Sequence, residues 1–546
     1  MLRRDAANLP LLPEPCADGE GPGMGNYLNI GNDGFAAMRR GTYVDKTGMI
    51  SFMNGVLGTA DKMVCVSRPR RFGKSFAAKM LCAYYDKSCD SRELFRGTEI
   101  EQDASFEKYL NHYNVIYLDI TLFTSRAASI KDVVRDIDDA VRREIEEGFP
   151  DAPKGSDLAE TLANTARALG EKFIMIIDEW DAVFRESKND IAVQEKYIVF
   201  LRSLFKSSWT DMVFDAAYLT GILPIKKYGT QSSMTDFREY SMVQPAPLER
   251  YVGFTEKEVQ EMCAGAGLAF EEVRRWYDGY VVGDDTHIYA PKSVMDAIQR
   301  RQIGNYWTGS ETYEALKIYI DMDEDGLKEA IVHMLGGARV GIDTGTFQND
   351  MTTITCRDDV LTLLIHLGYL AYDAGSRSVY IPNEEIREEF VRAVKRGKHA
   401  EVAKLIRNSD QLLESILDMD EEAVASAIEE AHKAGAAPTF YNNEQALRSV
   451  IRLAFISCVD EFLQIEELPS GHGYADVVFF PKKTSSLPLL LIELKWNRTE
   501  KGAIGQIRNR DYPQAVKDYG GEILLVGITY DAQSKKHTCR IEECRK

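Results

Sequence analysis

The residues that could do chemistry on phosphate fall in three stretches. Met63 to Ser67 is a short apolar run, Arg68-Pro69-Arg70-Arg71-Phe72-Gly73-Lys74-Ser75 follows, and Phe76 to Tyr84 is helix-forming. In the order strand, loop, Gly-Lys-Ser, helix, backbone N–H groups at a helix start surround phosphate, a lysine reaches the outer phosphates and a hydroxyl holds Mg²⁺. Gly73, Lys74 and Ser75 supply those parts, and Arg70 and Arg71 add charge facing phosphate. Arg68 stands where such loops place their first glycine, so the loop is expected to take a different turn. A basic surface turn before a helix is the bland alternative.

The second stretch is Phe173-Ile174-Met175-Ile176-Ile177-Asp178-Glu179, an apolar strand ending in paired carboxylates. Asp178 at the strand's C-terminal edge would hold Mg²⁺ through water, and Glu179 would orient and polarise the attacking water. A later strand ends at Thr220-Gly221; Thr220 is either a γ-phosphate sensor or a hydroxyl capping the next turn.

The third stretch is Gly473 to Phe480, a strand, then a polar turn from Lys482 to Ser486, then Leu489 to Trp496. Residues i and i+2 share a strand face, so Glu493 and Lys495 point the same way, and pairing of the two strands lets Asp476 join them. Asp476 and Glu493 would bind Mg²⁺ or Mn²⁺ through oxygen, and Lys495 would stabilise the attacking water or the charge on phosphorus. A strand that emerges into solvent also ends in Glu and Lys without any such role.

Elements must position these groups. Between Tyr43 and about Pro224, short apolar runs alternate with longer amphipathic stretches, as in parallel strands joined by crossover helices. Four buried strands are expected: Met63 to Ser67, Val115 to Ile120, Phe173 to Ile177, and Ala216 to Leu219. From about Arg250 to Ala400 the texture is helical. Within it, Asp358 to His366 reads as a helix, Tyr369 to Tyr372 and Ser378 to Ile381 as a hairpin, and Glu384 to Val394 as a helix; this fits a winged-helix-like module or a plain helical lid. Residues 401–439 read as a helical linker, stopped by Gly435 and Pro438. The expected organisation is a flexible lead-in (1–25), an ATPase domain (26–250), a helical lid (251–400), a linker (401–439) and a C-terminal domain (440–546).

Composition fits this layout. The chain has 546 residues, 45% hydrophobic and 28% charged, which argues against wholesale disorder or a fibrous repeat. Its formal charge, 66 − 85 = −19, argues against a uniformly basic coat for indiscriminate nucleic-acid binding. From Phe440 onward 15 Lys and Arg face 14 Asp and Glu, so this segment is near +1 and the remainder near −20. Arg498, Lys501, Arg508 and Arg510 could track a nucleic-acid backbone or simply be solvated. No run is long and apolar enough for a membrane helix or signal peptide, and nine scattered cysteines suggest reduced thiols, so a cytoplasmic chain with no membrane partner is expected.

Tyr43-Val44-Asp45-Lys46-Thr47, the Arg68-to-Ser75 loop, Gly253-Phe254-Thr255 with Glu258-Val259, and Trp276-Tyr277-Asp278-Gly279-Tyr280 together resemble the AAA-ATPase-like family of bacterial and mobile-element proteins. The resemblance covers most of residues 26–300 and makes Arg68 the family's own form of the loop. It places Asp45 and Lys46 near the nucleotide or its loop, unless they form a buried structural pair. Arg274 or Arg275 is either a charge-stabilising arginine or part of a solvated helix face. Members often carry a C-terminal PD-(D/E)XK nuclease domain, and Glu444, Asp476, Glu493-x-Lys495 and Gln506 with Tyr512, over about residues 440–530, are similar to that arrangement. The resemblance adds Glu444 to the metal ligands, ahead of Glu466 and Glu467.

The fold class expected is therefore α/β: a P-loop NTPase, AAA-like, with a parallel sheet and an added strand, then a helical, winged-helix-like middle and a C-terminal α/β restriction-endonuclease-like domain. ATP with Mg²⁺ is expected at Arg70, Arg71, Gly73, Lys74, Ser75, Asp178 and Thr220, with Glu179 catalytic. Mg²⁺ or Mn²⁺ is expected at the C-terminal carboxylates, with Asp476, Glu493 and Lys495 catalytic. The partner expected is nucleic acid, DNA ahead of RNA, and a homo-oligomer is compatible. The rival readings are a nucleotide switch whose C-terminal domain binds without cutting, and an accessory ATPase that recruits a partner enzyme.

Overall fold

The computed structural model describes residues 25–546 except 188–189, 226–233, 235, 284–285, 308–315, 317, 319–325, 348–353, 355, 396–399, 436–453, 456–461, 471–472, 482–486, 497–502, 506–518, 520 and 545–546; at 328, 395, 400–407, 432–435, 463–476 and 496 only the backbone is described. The chain divides into two compact units, one of Met1–Tyr306 with Gly341–Asn383 and the other of Trp307–Val340 with Glu384–Lys546. The lead-in expected at 1–25 lies outside the described residues except for Gly25.

The first unit is built on a parallel sheet of β1 (Met63–Ser67), β2 (Asn114–Asp119), β3 (Phe173–Asp178), β4 (Phe214–Gly221) and β5 (Arg238–Tyr240), in the order β2-β3-β4-β1-β5. β1 and β3 are buried at every residue, as expected of strands covered on both faces. β4 lies between the phosphate-loop strand and the carboxylate strand, so it is the added strand. In register, Asp119 pairs with Asp178, Asp178 with Thr220, and Thr220 with Val66, which lines these residues up at the carboxyl edge. That edge is where open α/β sheets bind ligands. One face of the sheet packs through Cys65, Leu118, Met175, Ile177 and Leu219 against helices Val133–Gly148, Leu158–Leu169 and Ile191–Phe205.

Smaller sheets follow in chain order: β6 (Phe254–Thr255), β7 (Tyr280–Val282) and β8 (Thr286–Tyr289) in the order β6-β8-β7, and β9 (Val340–Gly341), β10 (Ala371–Asp373) and β11 (Ser378–Tyr380) in the order β10-β11-β9. The helix Arg357–Leu367 precedes the antiparallel β10–β11 hairpin, and the helix Glu384–Lys395 follows, which is the expected helix, hairpin, helix succession. The compact units divide the chain between the hairpin and the last helix.

The second unit holds a five-stranded sheet of β12 (Phe462–Ser470), β13 (Gly473–Pro481), β14 (Leu489–Trp496), β15 (Ile523–Asp531) and β16 (Lys536–Glu543), in sequence order. Only the β14–β15 pair is parallel. Val477, Phe479, Leu490, Ile492 and Leu494 pack on Leu412, Ile416, Val424 and Ile428 of the helices Ala400–Leu417 and Glu421–Gly435. The segment expected to be a linker thus builds the core of this unit, because its apolar stripe needs a sheet face to bury it. Among the described residues no helix is long and apolar enough to cross a membrane.

Candidate functional site

The phosphate loop is shaped by side chains that turn away from it. Arg68 N–H donates to Gly221 O at 3.0 Å, and its guanidinium, 2% exposed, donates from Nη1 to Ser67 O and Tyr240 O at 2.9 Å each. Burial lowers its pKa to about 10, so it stays charged at neutral pH while bracing β1 against β5. Arg68 therefore serves the sheet and leaves the phosphate side of the loop clear. Arg71 adopts a left-handed backbone, φ 70°, and donates from Nη1 to Tyr306 O at 2.8 Å. Phe72 is fully buried edge-on to Tyr280, 5.4 Å between centroids. The loop is thus held from outside by Tyr306 and by Tyr280 of the Trp-Tyr-Asp-Gly-Tyr motif.

Gly73 caps the helix Lys74–Tyr85 with φ 91°, and a Cβ built there meets nothing within 4 Å. A positive φ with open space at a helix start lets a ligand approach the backbone N–H groups there. Lys74, 4% exposed, donates from Nζ to Pro69 O at 3.0 Å and lies 3.3 Å from Glu179 Oε1. Ser75 hydrogen-bonds the Asp178 carboxyl, which burial pushes up to about 6 despite that bond and the nearby Lys74. Tyr117 Oη donates to Asp178 Oδ2 at 3.3 Å. A hydroxyl on an oxygen-donor carboxyl held this far out of water suits a hard cation, whose charge would restore the ionised form.

Glu179 follows β3 in a left-handed conformation, φ 52°, uncommon for a residue with a side chain. Burial raises its pKa, but Lys74, Arg185 and Arg70 outweigh that and hold the carboxyl below its ordinary value. Arg185 Nη2 donates to Glu179 Oε2 at 2.5 Å, and Arg185 Nε lies 3.3 Å from Asp181 Oδ2. Asp181, fully buried, accepts the backbone N–H groups of Ile222 and Leu223 at 3.3 and 3.0 Å. The sequence reading missed Asp181 and Arg185; their i, i+4 spacing after Glu179 was the available signal. Thr220 lies at the same sheet edge, fully buried, and its hydroxyl donates to Val66 O at 3.0 Å.

Lys46 and Asp45 are tied elsewhere. Lys46 Nζ donates to both Glu258 carboxylate oxygens, at 2.8 and 2.7 Å, and to Arg250 O, while Asp45 accepts from the N–H groups of Thr47 and Glu99. These links make the pair structural and explain why Glu258 belongs to the motif string. Arg274 is surrounded by Glu256, Asp278 and Glu271 at 3.5–4.0 Å. Ligand atoms of Glu256, Asp278 and His287 lie within 4.8 Å of one another, and Arg274 already supplies their positive charge.

In the second unit, Glu493 is fully buried and Lys495 Nζ lies 2.9 Å from its Oε1. Both alternate with the core-facing Ile492 and Leu494, on the face where Val478, Leu491 and Ile504 pack. On β15, Glu493 pairs with Gly527, which brings no side chain to its flank. Val477 pairs with Ile492, the last pair of the ladder, one residue short of positions 476 and 493 on the two strands. The side chains of Asp476, Glu466 and Glu467 are not among those described, and Glu444, Arg498, Lys501, Gln506, Arg508, Arg510 and Tyr512 lie outside the described residues.

Residues 29–230 match the sequence profile of the family described as predicted AAA-ATPase, and residues 442–539 match that of the PD-(D/E)XK nuclease superfamily. No curated protein matches the chain. Among solved structures it is similar to the Aeropyrum pernix ORC2 protein in ADPNP–ADP complexes, at 13% identity and TM-score 0.29 over 66% of this chain and 92% of that one. It is also similar to the replication initiator DnaA bound to AMPPCP and single-stranded DNA, at 10% identity and TM-score 0.24 over 67% and 88%. Drosophila ORC bound to DNA gives 12% identity and TM-score 0.24 over 66% and 92%. The strand order and the two sequence profiles agree: this chain carries a predicted AAA-ATPase region and, C-terminal to it, a PD-(D/E)XK nuclease superfamily region.

Proposed function

We propose that the chain binds and hydrolyses ATP in its first unit and uses that cycle to govern metal-dependent phosphodiester cleavage of nucleic acid by its second. The observation that carries the ATPase reading is the meeting of Lys74, Ser75, Asp178 and Glu179 at the carboxyl edge of one parallel sheet. Ser75 and Asp178 would hold Mg²⁺, which supplies charge neutralisation on the phosphates when bound. Gly73 and the start of its helix offer N–H groups to phosphate, Lys74 offers a cation, and Glu179 offers a carboxylate held ionised to orient water. Arg70 contributes positive charge beside Glu179, whereas Arg71 acts through the loop's shape and Thr220 through the sheet.

The nuclease reading rests on Glu493 and Lys495, a buried acid and its cation on one strand face near strand position 476. Asp476 and Glu493, with Glu444 added by the family pattern, would hold Mg²⁺ or Mn²⁺; bound there, the metal supplies Lewis acidity. Lys495 would then stabilise charge developing on the phosphate. The near-neutral C-terminal segment suits a polyanion better than the acidic remainder does, and DNA is the favoured substrate.

The test is a cleavage panel of linear and circular, single- and double-stranded DNA and RNA, with Mg²⁺ or Mn²⁺, with and without ATP. Wild type is compared with Glu493→Ala. Cleavage that disappears in Glu493→Ala is the expected result. No cleavage under any condition, with ATP hydrolysis intact, would leave a nucleotide switch in place of a nuclease.

A further inference from the structure

Three cations converge on one carboxylate at the ATPase site, and nucleotide cannot leave all three where they are. Glu179 Oε1 is 3.3 Å from Lys74 Nζ, and its Oε2 accepts from Arg185 Nη2 at 2.5 Å, with Arg70 adding charge from the loop. Lys74 is the residue whose position in the loop destines it for the outer phosphates. Once it turns to them, Glu179, only 20% exposed, loses one of its ion-pair partners just as new negative charge arrives nearby. A largely buried carboxylate that loses a counter-ion is costly to keep ionised.

We propose that Arg185 is the positioning residue that holds the Glu179 carboxylate in place when nucleotide takes Lys74. This rests on the ATPase reading above. Arg185 is itself fixed from the far side, since Asp181 lies 3.3 Å from its Nε and is anchored by the N–H groups of Ile222 and Leu223 just beyond β4. Gly221 makes that anchoring feasible, because a Cβ there would sit 2.5 Å from Asp181 Oδ1. The chain from β4 through Asp181 and Arg185 to Glu179 therefore does not pass through the phosphate loop. It leaves Glu179 oriented while the loop rearranges, through the Arg185 hydrogen bond to its Oε2. Arg185 acts through Glu179 and need not touch nucleotide.

The experiment is a double-variant cycle on the full-length chain, measuring ATP affinity and single-turnover hydrolysis for wild type, Arg185→Gln, Arg185→Lys, Glu179→Gln and Arg185→Gln with Glu179→Gln. Arg185→Gln is expected to slow hydrolysis by about 10- to 100-fold with ATP affinity within about threefold. Arg185→Lys should recover part of the rate. In the Glu179→Gln background, Arg185→Gln should slow hydrolysis no further, because residues acting as a unit are not additive. Multiplicative losses in the double variant, or an affinity that falls in step with the rate, would overturn the inference. If Arg185→Gln does not fold, Asp181→Asn completes the cycle, with a smaller loss of rate that likewise disappears in the Glu179→Gln background. A wild-type chain that binds ATP without hydrolysing it would remove the ATPase reading itself, an outcome visible in the wild-type arm alone.

Discussion

The two candidate sites handle one problem, a buried acid, in opposite ways. At the proposed nucleotide site Glu179 is balanced by Lys74 and Arg185, which come from different elements, and Arg185 is set in turn by Asp181 and the backbone just beyond β4. At the nuclease-like site Glu493 meets Lys495 two residues along its own strand. A balance spread over several elements can be rearranged by a ligand, whereas one written into a single strand is fixed once the strand forms. The first suits a site that cycles, the second a site that is gated from elsewhere.

Removing each site's cation tests that contrast. Lys74→Ala should reduce ATP hydrolysis by about 100-fold or more yet shift the melting temperature little, since Arg185 still faces Glu179. Lys495→Ala removes an ion-pair partner of a fully buried glutamate, so unfolding of the second unit should become easier by about 3 kcal/mol in a denaturant titration. Equal stability losses in the two variants would break the contrast. Glu493→Gln should abolish cleavage with ATP hydrolysis within about twofold of wild type, and a matching loss of both activities would mean the sites are not separable.

A smaller effect belongs to His366, fully buried in the helix Arg357–Leu367. Burial, helped by Arg68, lowers its pKa to about 3. The folded state keeps this imidazole neutral, while the unfolded chain protonates it near pH 6.5, so the unfolded state binds more protons between the two values. Stability of the first unit should fall as pH drops from about 6.5 toward 3, and His366→Phe should flatten that slope in pH-dependent melts. An unchanged slope would remove His366 from the account. Smallest of all, Thr220→Val deletes one buried hydroxyl bonded to Val66 O, an expected loss of about 1 kcal/mol with hydrolysis nearly unchanged. A hundredfold loss of hydrolysis would instead restore Thr220 as a phosphate sensor.

Local pattern made much of this legible. The runs at 63–67, 115–120, 173–177 and 216–219 are apolar and short, and each falls on a strand of the first sheet within a few residues. β5 escaped notice because Arg238, Glu239 and Tyr240 form a polar edge strand with no buried residue. Glu493 and Lys495 were readable because strand period alone puts them on one face. Arg185 was not, since its meaning depends on Asp181 being fixed by β4, more than 30 residues later. The packing of residues 412–431 on the second sheet was not legible, because an amphipathic helix does not announce which surface will cover its stripe. Arg68 stands where such loops place a glycine, and the carbonyl of Tyr240, which it grips, shows why an arginine fits there.

The central claim is that the state of the first site governs chemistry at the second. The most direct measurement is the rate of DNA cleavage with Mg²⁺ as ATP is titrated, for wild type and Lys74→Ala side by side. The account predicts a cleavage rate that changes with ATP in wild type and is indifferent to ATP in Lys74→Ala. Identical cleavage in both proteins at every ATP concentration would contradict it, leaving two activities that merely share a chain.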